Sequence, residues 1–230
     1  HFVAVHPVDS SRIIHAGVDM GKSTDGGRTF SFSGGYYSDN HAFARHPVNP
    51  DIVYEVSDDG VYKTTDFGFS FTNVGAGMQT GQLYNGFSNS AQDSSFAVTQ
   101  SQDHIPGYIY HGSLVWDRGA RDEVGWTAIN PTNDQIVYAD NRYGTSVCRS
   151  TNRGVSFPVC TGFGGTGAWN SPFVLSPSNP SILYFASQRA YKSTNAGVSW
   201  SATNGGSVLD GNPALARSLL VNRTANTVAR

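Results

Sequence analysis

Ser23-Thr-Asp-Gly-Gly-Arg-Thr-Phe30, Thr64-Thr-Asp-Phe-Gly-Phe-Ser-Phe71, Ser150-Thr-Asn-Arg-Gly-Val-Ser-Phe157 and Ser193-Thr-Asn-Ala-Gly-Val-Ser-Trp200 are four versions of one octapeptide. A hydroxyl residue opens each copy, Asp or Asn stands third, Gly stands fifth, and an aromatic closes it. The third positions are Asp25, Asp66, Asn152 and Asn195, with steps of 41, 86 and 43 residues between them. The double step marks a repeat that has lost the motif. The residue types are those of a tight turn: a short side-chain oxygen accepts turn amides, glycine supplies a positive φ, and the opening hydroxyl adds a local bond. The closing Phe or Trp brings a large apolar ring to the space between layers.

A second pattern runs in phase: His6-Pro-Val-Asp9, His46-Pro-Val-Asn-Pro50, Asn130-Pro-Thr-Asn133 and Ser176-Pro-Ser-Asn-Pro180. Apolar stretches such as Ile52-Val-Tyr54, Ile136-Val-Tyr138 and Ile182-Leu-Tyr184 follow it. Each first Pro precedes its octapeptide acid or amide by 18 to 21 positions. One repeat thus reads as strand, Pro/Asn turn, strand, short loop, strand, octapeptide turn, strand, which is the layout of a propeller blade. The expected fold is all-β, a β-propeller of four-stranded antiparallel blades, and Phe30, Phe71, Phe157 and Trp200 are expected at equivalent places between sheets. Five blades are expected over approximately 1–36, 41–78, 81–120, 124–163 and 169–207, with a sixth opening over 213–230, in one domain spanning 1–230. The third blade lacks the octapeptide and is carried by Phe96-Ala-Val98, Tyr108-Ile-Tyr110 and Leu114-Val-Trp116. Five blades and part of a sixth make an open arc, and the chain begins without Met inside a strand-like stretch. It reads as a processed product or a piece of a larger propeller.

These octapeptides resemble the BNR/Asp-box repeats of sialidases, xyloglucan-degrading endoglucanases and sortilin-type ectodomains. The resemblance covers nearly the whole chain, and large secreted microbial propellers of the "glycosyl hydrolase BNR repeat" kind are the nearest in pattern. The segments from His41 to Pro50, Gln82-Leu-Tyr84, Gln102-Asp-His104 and Pro172-Phe-Val-Leu-Ser-Pro177 carry it, with His104 standing where those propellers have an amide. A sialidase would imply an Arg-Ile-Pro strand, but Arg12 is followed by Ile13-Ile14. An endoglucanase would imply two catalytic aspartates facing each other across a cleft between two propellers.

Charged residues make up 14% of the chain and the formal net charge is −2, with no Lys/Arg run, so the electrostatic footprint of a nucleic-acid partner is missing. No apolar run approaches the length of a membrane span. Cys148 and Cys160, the only cysteines, flank the third octapeptide, where two facing strands would bring them to bonding distance; a disulfide there implies an oxidising compartment and secretion. Asn222-Arg-Thr224 matches a glycosylation sequon. The histidines lack ligand spacing and no Asp-x-Asp-x-Asp-Gly loop occurs, so neither a metal site nor another cofactor is expected.

In a propeller the octapeptides and Pro/Asn turns share one face, which assigns Asp25, Asp66, Asn152 and Asn195 to structural turns. The opposite loops differ from blade to blade and concentrate acids, amides and aromatics, the groups that grip hydroxyls and the flat faces of sugars. Tyr36, Tyr37, Asp39, Asp58, Asp59, Asp103, His104, Asp122, Arg142 and Trp169 are the candidate binding residues there. The function expected is a secreted or cell-surface module that binds a glycan or a protein. The alternatives are a glycoside hydrolase completed by sequence outside this chain and a subunit of an extracellular assembly joined through blade edges or a second propeller.

Overall fold

A computed structural model describes residues 2–32, 39–58, 60–78, 83–102, 104–113, 115–119, 125–141, 143–165, 167–209, 215–216, 218–221 and 228–229, the side chains of 84–86, 104–106 and 228–229 excepted. The first sheet contains β1 (Phe2–His6), β2 (Asp9–Ala16), β3 (Met20–Ser23) and β4 (Ser31–Phe32). The second contains β5 (Asn40–Arg45), β6 (Val53–Ser57), β7 (Gly60–Thr64) and β8 (Thr72–Asn73). The third contains β9 (Leu83–Asn89), β10 (Phe96–Ser101), β11 (His104–His111) and β12 (Asp117–Arg118). The fourth contains β13 (Thr127–Ile129), β14 (Val137–Asp140), β15 (Ser146–Ser150) and β16 (Val159–Gly162). The fifth contains β17 (Phe173–Leu175), β18 (Leu183–Ala186), β19 (Ala190–Ser193) and β20 (Ser201–Ala202), and a short pair follows, β21 (Leu220–Val221) with β22 (Val228–Ala229). Strands within each sheet are antiparallel neighbours in chain order. The protein is therefore all-β, a succession of four-stranded meander sheets of the β-propeller blade type, and it divides into two compact units, His1–Thr80 and Gly81–Arg230.

Two turns recur at one end of the sheets. In the hairpin before the second strand, a side-chain acceptor binds amides two and three residues on. Asn130 Oδ1 takes Thr132 N (2.9 Å) and Asn133 N (3.2 Å), His46 Nδ1 takes Val48 N (3.2 Å) and Asn49 N (3.0 Å), and Ser90 Oγ takes Gln92 N and Asp93 N at 3.0 Å each. A second acceptor then caps the turn: Asn49, Asp93, Asn133 and Asn179 each receive the amide two residues ahead. Ser90 and Asp93 thus give the third sheet, which has no octapeptide and no Pro in this turn, the same first hairpin as its neighbours.

The octapeptides close the outer hairpins. Asp25 Oδ1 accepts Arg28 N (3.0 Å), Thr29 N (2.9 Å) and the Ser23 hydroxyl (2.7 Å), while Oδ2 accepts the Thr29 hydroxyl (2.6 Å). Asp66 repeats this with Phe69, Ser70 and Thr64. Asn152 and Asn195 keep the Oδ1 bonds from the opening hydroxyl and from the amide four residues ahead but donate from Nδ2 to Ser156 (2.9 Å) and Ser199 (2.7 Å), so the later hydroxyl reverses from donor to acceptor. The fourth residue of each turn also has positive φ: Gly26 in the first, but Phe67 (56°), Arg153 (55°) and Ala196 (56°) in the others, a conformation uncommon for side chains with a Cβ. Their amides reach back to Asp51 O, Gln135 O and Ser181 O, which ties the two turns of one sheet together and offsets the strain.

Apolar layers fill the spaces between sheets within each unit. In the first unit Ile14, Val53 and Phe67 form the core with Ala4 and Phe43 against it. Arg12 bridges its two sheets by bonding Asp51 Oδ1 (2.7 Å) and Asp66 O (2.9 Å). In the second unit one layer joins Phe96, Val98 and Ile109 to Ile129 and Val137, with Phe157 packed on it. The next joins Tyr138 and Val147 to Phe173, Leu183 and Phe185, with Trp200 against it. Phe157 and Trp200 thus occupy matching places, and Phe71 is half-buried. Phe30 departs from the expectation. It is 38% exposed and packs edge-on against His15 of its own sheet, because no described sheet covers the face that carries Val3, Val5, Ile13 and His15. Cys148 and Cys160 stand directly opposite on β15 and β16 and are bonded.

Burial pushes the Asp66 carboxyl up, but its bonds from Ser70, Thr64 and the turn amides outweigh this and hold it down at about 2. A depressed carboxyl stabilises the fold above the ordinary carboxylate range and loses that contribution as pH falls through its folded value. Asp66→Ala should cost about 1–3 kcal/mol by orphaning two amides. Asp66→Asn should cost less and flatten the melting-temperature profile between pH 4 and pH 2. Equal losses from both variants in thermal melts would refute this account of the turn.

Candidate functional site

The second strand leads to the loop end opposite the octapeptides, and each unit assembles polar or aromatic groups there. In the second unit the loop from β14 to β15 carries Tyr143 and the loop from β16 to β17 carries Trp169. Their rings lie 6.2 Å apart with planes at 87°, and they are 51% and 42% exposed. Two exposed rings on adjoining loops form a small apolar patch of the kind that contact sites use.

The corner is rigidly built. Asn141 Oδ1 accepts Thr145 N (2.8 Å) and Ser146 N (3.0 Å), closing the Tyr143 loop, and Ser171 Oγ accepts Ala168 N (2.9 Å), closing the Trp169 loop. Glycines let the two loops touch. A Cβ on Gly167 would lie 2.0 Å from Tyr143 O, and one on Gly144, where φ is 53°, would lie 2.1 Å from the Ser171 side chain. Neither backbone nor a fully buried serine yields cheaply. Gly167→Ala should therefore cost about 1–3 kcal/mol in a thermal melt, as overpacking does elsewhere, and splay the two rings. An unchanged melt would show that the loops are not in this contact.

In the first unit the corresponding end is polar. Asp39 takes positive φ (61°), and the amides of Asp39 and Asn40 bind Val18 O and Gly17 O at 2.8 Å, tying the start of the second sheet to the first. Pairing along β5 and β6 slips between Asn40 and Ala42, so His41 is an extra, bulged residue, and its ring reaches the Asp58 carboxylate. Bulges re-aim side chains in this way.

Three residues before Asp58 lies Glu55, 0% exposed, with no hydrogen-bond partner for either carboxylate oxygen among the described residues. The aligned positions of the other sheets hold His15, Thr99, Ala139 and Phe185. Burial pushes the Glu55 carboxyl up to about 7, against the opposing pull of His41. For an acid raised in the folded state, the stabilising contribution is complete below its unfolded value near 4.5 and is lost as pH rises through about 7. Glu55→Gln should remove that slope. Circular-dichroism melts from pH 5 to pH 8 should converge at the acid end and separate at the alkaline end, with the variant more stable; parallel curves would refute the assignment.

Of the residues proposed from sequence, the structure places Asp39 and Asp58 at this end of the first unit and Trp169 in the aromatic corner of the second. Of His104 it describes the backbone, which opens β11. Tyr36, Tyr37, Asp59, Asp103, Asp122 and Arg142 lie outside the described residues. Tyr143 falls on the same variable loop face in the sequence but outside the candidate set, and Glu55 and the two glycines were not singled out. Repeat alignment flags Glu55, an acid where the other sheets carry Ala, Thr, Phe or His. Among the described residues no three of His, Cys, Asp or Glu converge as metal ligands, and no helix is long and apolar enough to cross a membrane.

No protein-family model matches the sequence, and no curated protein sequence matches it. Solved structures give distant likenesses. An ancestral GH74 enzyme is 18% identical over 86% of this chain and 23% of its own, with a TM-score of 0.29. The GH74 enzyme of Niastella koreensis is 14% identical over 99% of this chain and 53% of its own, with a TM-score of 0.31. YCF48 from Cyanidioschyzon merolae is 14% identical over 94% and 77%, with a TM-score of 0.38. The chain thus spans about a quarter and about half of the two GH74 enzymes. At these values none of them carries an argument about activity.

Proposed function

We propose that the chain is a secreted glycan-binding module of the BNR/Asp-box kind, a single propeller domain over residues 1–230, and that Trp169 with Tyr143 is its contact surface. The observation that carries this reading is the exposed, glycine-braced aromatic corner at the variable loop end. Flat apolar rings match the C–H faces of sugars, and rigid placement lowers the entropy lost on binding. The four octapeptide turns support the family reading, and the Cys148–Cys160 bond supports an oxidising compartment.

A hydrolytic reading is less well supported. Glycoside hydrolysis takes two carboxyl groups on either side of the scissile bond, one of them kept protonated. Burial pushes the Glu55 carboxyl up, but it is buried away from any substrate. Trp169→Ala should weaken glycan binding by about 1–3 kcal/mol, as loss of an aromatic anchor does at other interfaces, with the fold intact. Calorimetry on glycans selected from an array would test this, and unaltered affinity would refute the site.

A further inference from the structure

Two aromatic rings can receive a saccharide in two ways, and the angle between them decides which. Coplanar rings spaced along a surface accept successive residues of a running chain. Perpendicular rings cannot both stack on one flat chain, because a pyranose lying on one face meets the other ring at its rim. Tyr143 and Trp169 are of the second kind, at 87° and 6.2 Å between centroids. The backbones that carry the two rings are held close: the Tyr143 carbonyl leaves no room for a Cβ at Gly167, Ser171 leaves none at Gly144, and Asn141 pins the Tyr143 loop from behind. The loop before Trp169 is backed on its other side by Gln188 and Arg189, whose polar ends abut Gly165. Arg189 is itself held by a 2.7 Å bond from Nε to Gly206 O.

We propose that this corner selects a terminal or branch sugar residue over the interior of a polysaccharide, with Trp169 as the floor on which the residue stacks and Tyr143 as the wall that stops the chain. The inference rests on the reading of the corner as a glycan site. The broad indole takes the axial C–H face of the residue. The phenol ring meets its rim, where an exocyclic methylene or an acetamido methyl is the apolar group within reach. The glycan continues only on the side away from Tyr143.

Calorimetry on the intact chain tests this with β-1,4-linked glucose, N-acetylglucosamine and galactose oligomers of one, two, four and six residues. In the series that binds, affinity per chain should change by less than about threefold from the disaccharide to the hexasaccharide, since each chain has one such end whatever its length. Tyr143→Ala should lower disaccharide affinity about five- to tenfold, the loss of one aromatic contact, and should let affinity climb with length, because the wall is gone. Trp169→Ala should weaken every length alike. A wild-type affinity that climbs about tenfold or more with length, or a Tyr143→Ala variant whose length dependence matches the wild type, overturns the terminal preference and leaves the glycan reading standing. Binding by no series at millimolar concentration, or binding that Trp169→Ala leaves unchanged, overturns both.

Discussion

Each outer hairpin that carries the octapeptide depends on one short side chain accepting the amide four residues ahead while the opening hydroxyl accepts the amide of the glycine. Those amides point into a turn too tight for the backbone to satisfy them, so the side chain must. Once it does, the fourth strand is fixed in register against the third and the closing aromatic is aimed off the sheet. Packing between sheets then follows wherever a neighbour exists. Phe157 and Trp200 have one, and Phe30 shows the same turn beside an uncovered face.

The turns were legible in the sequence because their chemistry is local, acting over four or five residues. Asp and Asn proved interchangeable at the third place because the facing hydroxyl can reverse its role. The left-handed fourth residue was not legible at Phe67, Arg153 or Ala196, since nothing in those side chains favours positive φ; the bond back to the first hairpin imposes it. The third sheet's first turn was hidden for a different reason. Ser90 and Asp93 perform the task of Asn130 and Asn133, but without the proline that marks the others.

The candidate site was legible only in part. Trp169 announces itself as a large ring in a glycine-rich loop, whereas Tyr143 depends on the approach of two loops that lie more than 20 residues apart in the chain. That approach is set by Gly144 and Gly167, and glycine is too common in this chain for two of them to stand out. Glu55 was masked by its apolar neighbours Val53 and Val56. Its oddity emerges only when the second strands are laid over one another, because burial at that position is a property of the repeat rather than of the local sequence.

The division into two compact units has an optical consequence. All four tryptophans, Trp116, Trp126, Trp169 and Trp200, fall within the second unit, while the first carries tyrosine and phenylalanine alone. Emission excited at the red edge of the indole band therefore originates entirely from residues after Thr80. The half that holds Glu55 and His41 contributes no indole emission of its own and is followed in the amide region of the spectrum. The protein carries its own two-channel reporter, and a mismatch between the channels would give the order in which its halves come apart.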